Sequence, residues 1–122
     1  MNTHLDYWNG EARVEGAKLI RKKSLEFQRD IPVFLTGDFN STISDVPYQV
    51  LTENELFRDT WNLAREQVNL TYGTMNDFTN EMGGNRIDWI LVKGNIEVKS
   101  SKVVSDYIGG QFPSDHYPVV ID

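Results

Sequence analysis

A chain of 122 residues, 39% hydrophobic and 11% aromatic, is long enough for one domain with its own core and too apolar to be disordered. It has no cysteine, which excludes disulfides and thiolate zinc sites and suits a reducing, cytoplasmic setting. Its 12 basic and 18 acidic residues leave a net charge of −6, which favours a small-molecule partner over nucleic acid, since duplex binding calls for a basic face.

No apolar stretch approaches the roughly 18 to 20 residues that span a bilayer. The opening Met1-Asn2-Thr3-His4 lacks the basic and apolar regions of a signal peptide. Met1 to Leu5 reads as a strand end. A helix is predicted from about Gly10 to Arg29, with Asn9 as N-cap and Glu11 at the positive end of the dipole. Val14, Ala17, Ile20 and Phe27 recur at helical spacing as one buried stripe. Gly16 costs a helix about 1 kcal/mol against Ala, which points to a close approach by a neighbour. Arg21-Lys22-Lys23 reads as a solvated helix face.

Pro32 to Thr36 is a strand ended by Gly37-Asp38. A second helical region is expected from about Pro47 to Leu56, extending toward Ala64. Tyr72 to Phe78 reads as a strand with a loop, Ile87 to Val92 as a strand, and Gly94-Asn95 as a turn. Ile96 to Ile108 can hold one long strand, and Tyr117 to Ile121 a last one. Val33-Phe34-Leu35, Trp89 to Val92 and Val119 to Ile121 do not alternate, the pattern of strands covered on both faces. One face can take the first helix. The other needs the weaker helix or a second sheet from outside this sequence.

Polar clusters stand at the predicted strand ends: Asn2-Thr3-His4, Gly37-Asp38-Phe39-Asn40, Arg86-Ile87-Asp88 and Ser114-Asp115-His116. Each has a structural reading. Asp38 and Asn40 suit turn chemistry, His4 a surface histidine, and Arg86 and Asp88 a cross-strand ion pair. Asp115-His116 is harder to explain that way, because Pro113 and Pro118 fix both side chains for no evident packing gain. Strand ends along one sheet edge can converge. Converged, these residues would suit attack by water on an electrophile, with a hard cation absorbing negative charge. Oxygen donors with few histidines favour Mg²⁺ or Mn²⁺ over zinc.

The ordered set Asn2-Thr3-His4-Leu5, Gly37-Asp38-Phe39-Asn40-Ser41, Arg86-Ile87-Asp88-Trp89-Ile90 and Ser114-Asp115-His116-Tyr117-Pro118-Val119 resembles the endonuclease/exonuclease/phosphatase superfamily. The resemblance runs from residue 2 to the last residue and implies a metal-dependent hydrolase of phosphoester bonds. It implies that Asp38 activates or orients the attacking water and that Asn40 orients water and phosphate. His116 matches the histidine that bonds the scissile phosphate, and Asp88 the carboxylate that pairs with it. Asp115 resembles a metal ligand, shared with Asp38, and His4 a second phosphate-binding histidine. Asn2, Tyr72 and Phe78 are further candidates for substrate contact, the last two in a loop from Tyr72 to Gly84 that, with Ser41 to Tyr48, would choose the substrate.

The fold so implied is α+β: half of a four-layer α/β/β/α sandwich, with one mostly antiparallel mixed sheet and helices on one face. Residues 1–122 match the C-terminal half, whereas the family's first half supplies an asparagine and a metal-binding glutamate. A fragment of this kind is expected to bind Mg²⁺ weakly, to hydrolyse little alone and to self-associate through its exposed sheet face. A nuclease in the intact protein, or a non-catalytic dimerisation module, are the alternative readings.

Overall fold

The computed structural model describes residues 1–28, 30–79 and 82–122. The first strand, β1 (Asn2–His4), leads into α1 (Gly10–Ser24), and β2 (Val33–Asp38) returns parallel to β1. Helix α2 (Val46–Thr52) runs into a 3₁₀ turn at Glu53–Glu55, followed by β3 (Arg58–Asp59), α3 (Thr60–Leu63) and β4 (Glu66–Val68). Then come β5 (Asp88–Lys93), β6 (Ser100–Val103) and β7 (Val119–Ile121).

The fold is α+β, and the hydrogen bonding divides the expected sheet into two mixed parts. One has the order β1-β2-β5-β3, with β5 antiparallel to both neighbours, and the other has the order β4-β6-β7. A cleft lined by Trp89, Ile90, Tyr117, Pro118 and Val119 separates β5 from β7. Pro118 has no N–H to offer a ladder there.

Asn9 caps α1 as expected, its Oδ1 accepting from Glu11 N at 2.9 Å and Ala12 N at 3.1 Å. The close neighbour of Gly16 is Leu5, whose Cδ2 would lie 2.9 Å from an added Cβ. The helix ends at Ser24, earlier than predicted. Leu25 and Glu26 donate to the carbonyls of Lys22 and Lys23, tightening the last turn. Lys93 Nζ then caps the Ser24 carbonyl at 2.5 Å. Phe27 consequently leaves the stripe and is exposed, while Ala17 is buried and Val14 and Ile20 half-buried. Arg29 lies outside the described residues. Arg21 is no solvated charge, since it donates to the carbonyls of Val50 and Glu53 and so ties α1 to α2.

Helices α1 and α2 lie over one face of the larger sheet. Ala17 and Leu51 pack with Val33, Leu35, Trp89 and Leu91, and Phe39 stacks on Trp89 with centroids 4.4 Å apart. A smaller cluster of Trp61, Val103 and Tyr117 lies against the second sheet, with Tyr72 and Phe112 beside it. The second helix therefore does not cross to the far face. On that face Phe34 pairs with Val92 and Thr36 with Ile90. Phe34 is 41% exposed, Ile90 is half-buried and Val92 is buried.

Further expectations fail for local reasons. The helical region after Pro47 breaks at Asn54, which takes a left-handed φ of 54°, and β3 intervenes before α3. Tyr72 to Phe78 is a chain of turns instead of a strand. Asn76 Oδ1 accepts the Phe78 N–H at 2.7 Å, a side-chain turn that competes with a ladder, and Asp77 and Phe78 have φ of 55° and 58°. Only Ser100–Val103 of the predicted long strand is extended in a sheet. Past it the chain turns back at Gly109-Gly110, both with positive φ, and Ile108 pairs with Gln111.

Candidate active site

Parallel pairing of β1 with β2 sets His4 beside Asp38, and antiparallel pairing of β2 with β5 sets Asp38 beside Asp88. Three side chains distant in sequence thus end on one edge and one face. His116 arrives from the loop after Pro113, where Tyr117 N bonds the Thr74 carbonyl at 2.7 Å. A cavity of about 630 Å³ lies over them, lined by His4, Tyr7, Asp38, Asn40, Met75, Ile87, Asp88, Asp115 and His116.

His116 Nδ1 lies 2.8 Å from Asp88 Oδ2, and its Nε2 lies 4.0 Å from Asp38 Oδ2. The carboxylate can only accept, so Nδ1 carries the proton and Nε2 faces the cavity. Burial opposes charge on His116, but the bond to Asp88 and the fields of Asp88, Asp38 and Asp115 outweigh it and hold its pKa above the ordinary histidine value. Burial raises the Asp88 pKa, helped by Asp38, while bonds from Thr74 and His116 oppose the rise.

His4 Nε2 stands 3.4 Å from Asp38 Oδ2 on the exposed side. Asp38 Oδ1 accepts the Asn40 N–H at 2.8 Å, which is the turn chemistry expected of it. Asn40 sits at φ 45°, a conformation Asn tolerates, and its Nδ2 donates to the Leu5 carbonyl at 2.9 Å. Its carbonyl oxygen has no protein hydrogen bond among the described residues, so it is available to a water or substrate.

Asp38, Asp88 and His116 each place a ligand atom within 4.8 Å of the others, a group that could hold a metal. The His116–Asp88 bond takes up Nδ1 of the ring and Oδ2 of the carboxylate. Asp38, with Oδ1 on the Asn40 N–H and Oδ2 toward both His4 and His116, stands at the centre, and Asp115 lines the same cavity outside that triad.

Other expected residues are placed elsewhere. Asn2 Nδ2 donates to Thr36 Oγ1 at 2.9 Å and does not line the cavity. Tyr72 packs edge-on to Tyr117 in the smaller core, and Phe78 is exposed outside the cavity. The expected Arg86–Asp88 ion pair is absent among the described residues. Arg86 instead bonds Asp59 Oδ2 at 2.9 Å beneath Trp61, because Asp88 faces His116.

Sequence reasoning missed Tyr7, Met75 and Ile87, which complete the cavity wall, and Thr74, which is fully buried. Thr74 Oγ1 accepts the N–H groups of Ile87 and Asp88 at 2.9 and 3.0 Å and so fixes the start of β5. It missed Asn76 too, whose N–H and Nδ2 hold the carbonyls of Asp115 and Ser114 at 2.7 and 3.2 Å. The apparent signal was Gly73-Thr74 ahead of a polar turn.

The Endonuclease/Exonuclease/phosphatase family profile matches residues 2–116. The chain belongs to this family. A mannosyl-6-phosphatase from Bacteroides thetaiotaomicron superposes with a TM-score of 0.88 at 30% identity, over 99% of this chain and 49% of that one. A second endonuclease/exonuclease/phosphatase family protein from that organism gives 0.87 at 33% identity, over 97% of this chain and 46% of that one. Sphingomyelinase C from Streptomyces griseocarneus shares the fold alone, with a TM-score of 0.71 at 15% identity over 98% of this chain and 51% of that one. The chain thus spans about half the length of the structures it matches. No curated protein matched the sequence. Membership in this family makes the chain part of a phosphoester-hydrolase fold. Among the described residues, no helix is long and apolar enough to cross a membrane.

Proposed function

We propose that this chain carries most of the catalytic residues of a metal-dependent phosphoesterase in which water attacks phosphorus. The observation that carries the reading is His116, bonded through Nδ1 to Asp88, with its Nε2 4.0 Å from Asp38 Oδ2. In this reading Asp38 accepts a proton from the attacking water, whose direction the Asn40 side-chain oxygen fixes. The P–O bond to the alcohol breaks meanwhile, and the departing alkoxide takes a proton from solvent. His116, whose pKa the bond to Asp88 raises, donates from Nε2 in its charged form to a phosphoryl oxygen as negative charge builds there. His4 adds a second contact from the exposed side.

The oxygen donors suit Mg²⁺ or Mn²⁺, which would be held by Asp38 with Asp115 from the wall of the same cavity. Such an ion, when bound, neutralises phosphoryl charge that three carboxylates would otherwise repel. So few carboxylates bind it weakly, and turnover by the chain alone is low.

A small phosphoester is the favoured substrate. Supporting this are the net charge of −6 and the likeness, at 30% identity, to a protein named as a mannosyl-6-phosphatase. We also propose that the chain self-associates, with Phe34 standing at the open sheet face.

The test is hydrolysis of nitrophenyl phosphate and bis-nitrophenyl phosphate in Mg²⁺ or Mn²⁺, beside Asp38→Ala. Turnover lost in the variant supports the reading, and turnover that survives it sinks the role of Asp38. Where the wild type shows none, the ring signals of His116 and His4 on adding inorganic phosphate decide. Unmoved signals mean that this is no phosphate site.

A further inference from the structure

Three residues beyond His4 the chain displays two large aromatic side chains that the fold does not bury. Tyr7 is 63% exposed and Trp8 is 88% exposed. Their rings meet edge to face, with centroids 4.8 Å apart and planes at 84°. Neither belongs to a core cluster.

Their backbone is nonetheless held firmly. Asp6 Oδ1 accepts the N–H groups of Trp8 at 2.8 Å and Asn9 at 2.6 Å. The Arg13 guanidinium, one turn into α1, donates to the carbonyls of Asp6 at 3.0 Å and Tyr7 at 3.1 Å. The turn is therefore clamped from both ends, between β1 and the capped helix. A rigid, amphipathic ring loses little conformational entropy when something packs on it, which is how Tyr and Trp serve as binding anchors.

Position makes this more than a surface accident. Tyr7 is part of the wall of the catalytic cavity, in company with His4, Asp38 and His116, and Met75 and Ile87 line the same space. The polar residues there are all accounted for by phosphate, water or cation. The aromatic and aliphatic wall has no part in that chemistry, and it is what remains to receive the alcohol half of the ester.

We propose that Tyr7, buttressed by Trp8, is the stacking platform for the leaving group. The substrate class then narrows to phosphoesters whose alcohol carries a ring within a bond or two of the phosphate. Sugar phosphates, nucleoside phosphates and aryl phosphates share that chemistry, because each offers either a C–H face or a flat π face to an aromatic side chain. The carboxylates of Asp38, Asp88 and Asp115 in the same cavity disfavour a ring that carries negative charge of its own. This inference rests on the phosphoester reading of the site and adds the class of alcohol to it.

The test uses the isotope-labelled chain and four probes: inorganic phosphate, glycerol phosphate, glucose phosphate and adenosine monophosphate. The ring signals of His116 report the phosphate, and those of Tyr7 and Trp8 report the ring. All four probes are expected to move His116, and only the last two to move Tyr7 and Trp8. Tyr7→Ala should weaken the better ring-bearing probe about tenfold relative to glycerol phosphate, while Tyr7→Phe keeps the preference. Whichever ring-bearing probe binds more tightly separates a sugar from a base. Equal weakening of all probes by Tyr7→Ala, or still aromatic signals while His116 moves, overturns the platform and leaves the phosphate site standing. A His116 unmoved by inorganic phosphate overturns both.

Discussion

His116 Nδ1 and Asp88 Oδ2 lie 2.8 Å apart although 28 residues separate them, and Asp88 is in turn the ladder partner of Asp38. The imidazole is thus oriented by one carboxylate while its free nitrogen faces another. Its pKa is raised despite partial burial. The native state therefore holds a proton on His116 more tightly than the unfolded chain does. That contribution to stability is complete below the ordinary value of 6.5 and disappears as pH climbs through the higher native pKa. Asp88→Asn removes the main cause of the raise. Proton NMR titration of the variant should show His116 ionising at lower pH than in the parent, and any hydrolysis should fall by about a hundredfold or more. An unchanged titration would mean that the pair does not form in solution.

Asp59 and Arg86 form the most buried ion pair described, with side chains 1% and 12% exposed. Asp59 also accepts the Trp61 N–H at 2.9 Å and so caps α3. Arg86→Met should cost about 3 to 5 kcal/mol in denaturant unfolding, because it strands a buried carboxylate. The double variant Asp59→Asn, Arg86→Met should recover part of that loss. A single variant as stable as the parent would show that the pair is solvated.

Tyr48 donates its hydroxyl to Asp59 at 3.2 Å, and burial followed by the Asp59 charge pushes its pKa from 10.0 to about 12. The folded state keeps this proton where the unfolded chain releases it. Stability should therefore drop as pH rises from 10.0 to about 12. Tyr48→Phe should flatten that alkaline slope, as followed by unfolding in urea at increasing pH.

Gly37 occupies φ 147° next to Asp38 at the end of β2, and an added Cβ would collide with the Thr3 carbonyl. Gly37→Ala should cost about 3 kcal/mol by combining backbone strain with the clash. It should also loosen β1, so that exchange of the Leu5 amide, which bonds the Asp38 carbonyl at 2.9 Å, accelerates more than that of β5.

If Phe34 anchors self-association, Phe34→Glu should yield a monomer by light scattering without loss of helical content. An oligomer that persists in the variant would place the interface elsewhere.

Much of this protein could be read locally. The Asn9 cap, the turn at Asp38-Asn40 and the strand-end clusters depend on residues a few positions apart, where spacing and side-chain type suffice. Gly16, by contrast, marked a close approach that only the fold assigns to Leu5. The sequence also determined the family, since its motifs keep their order along the chain. Pairings across the fold were another matter. Arg86 stands two residues from Asp88 but bonds Asp59, because it precedes β5 whereas Asp88 opens that strand and turns to His116. Phe27 keeps helical spacing, yet the helix stops at Ser24, where Lys93 from a distant strand takes the last carbonyl. Tyr7 lies between the strand end at Leu5 and the helix start at Gly10, where spacing alone marks no role. It became part of the cavity wall because parallel pairing of β1 with β2 brings His4, and the turn that follows it, to the edge where Asp38, Asp88 and His116 meet. Long-range register decides such neighbours, and register is a property of the folded sheet as a whole.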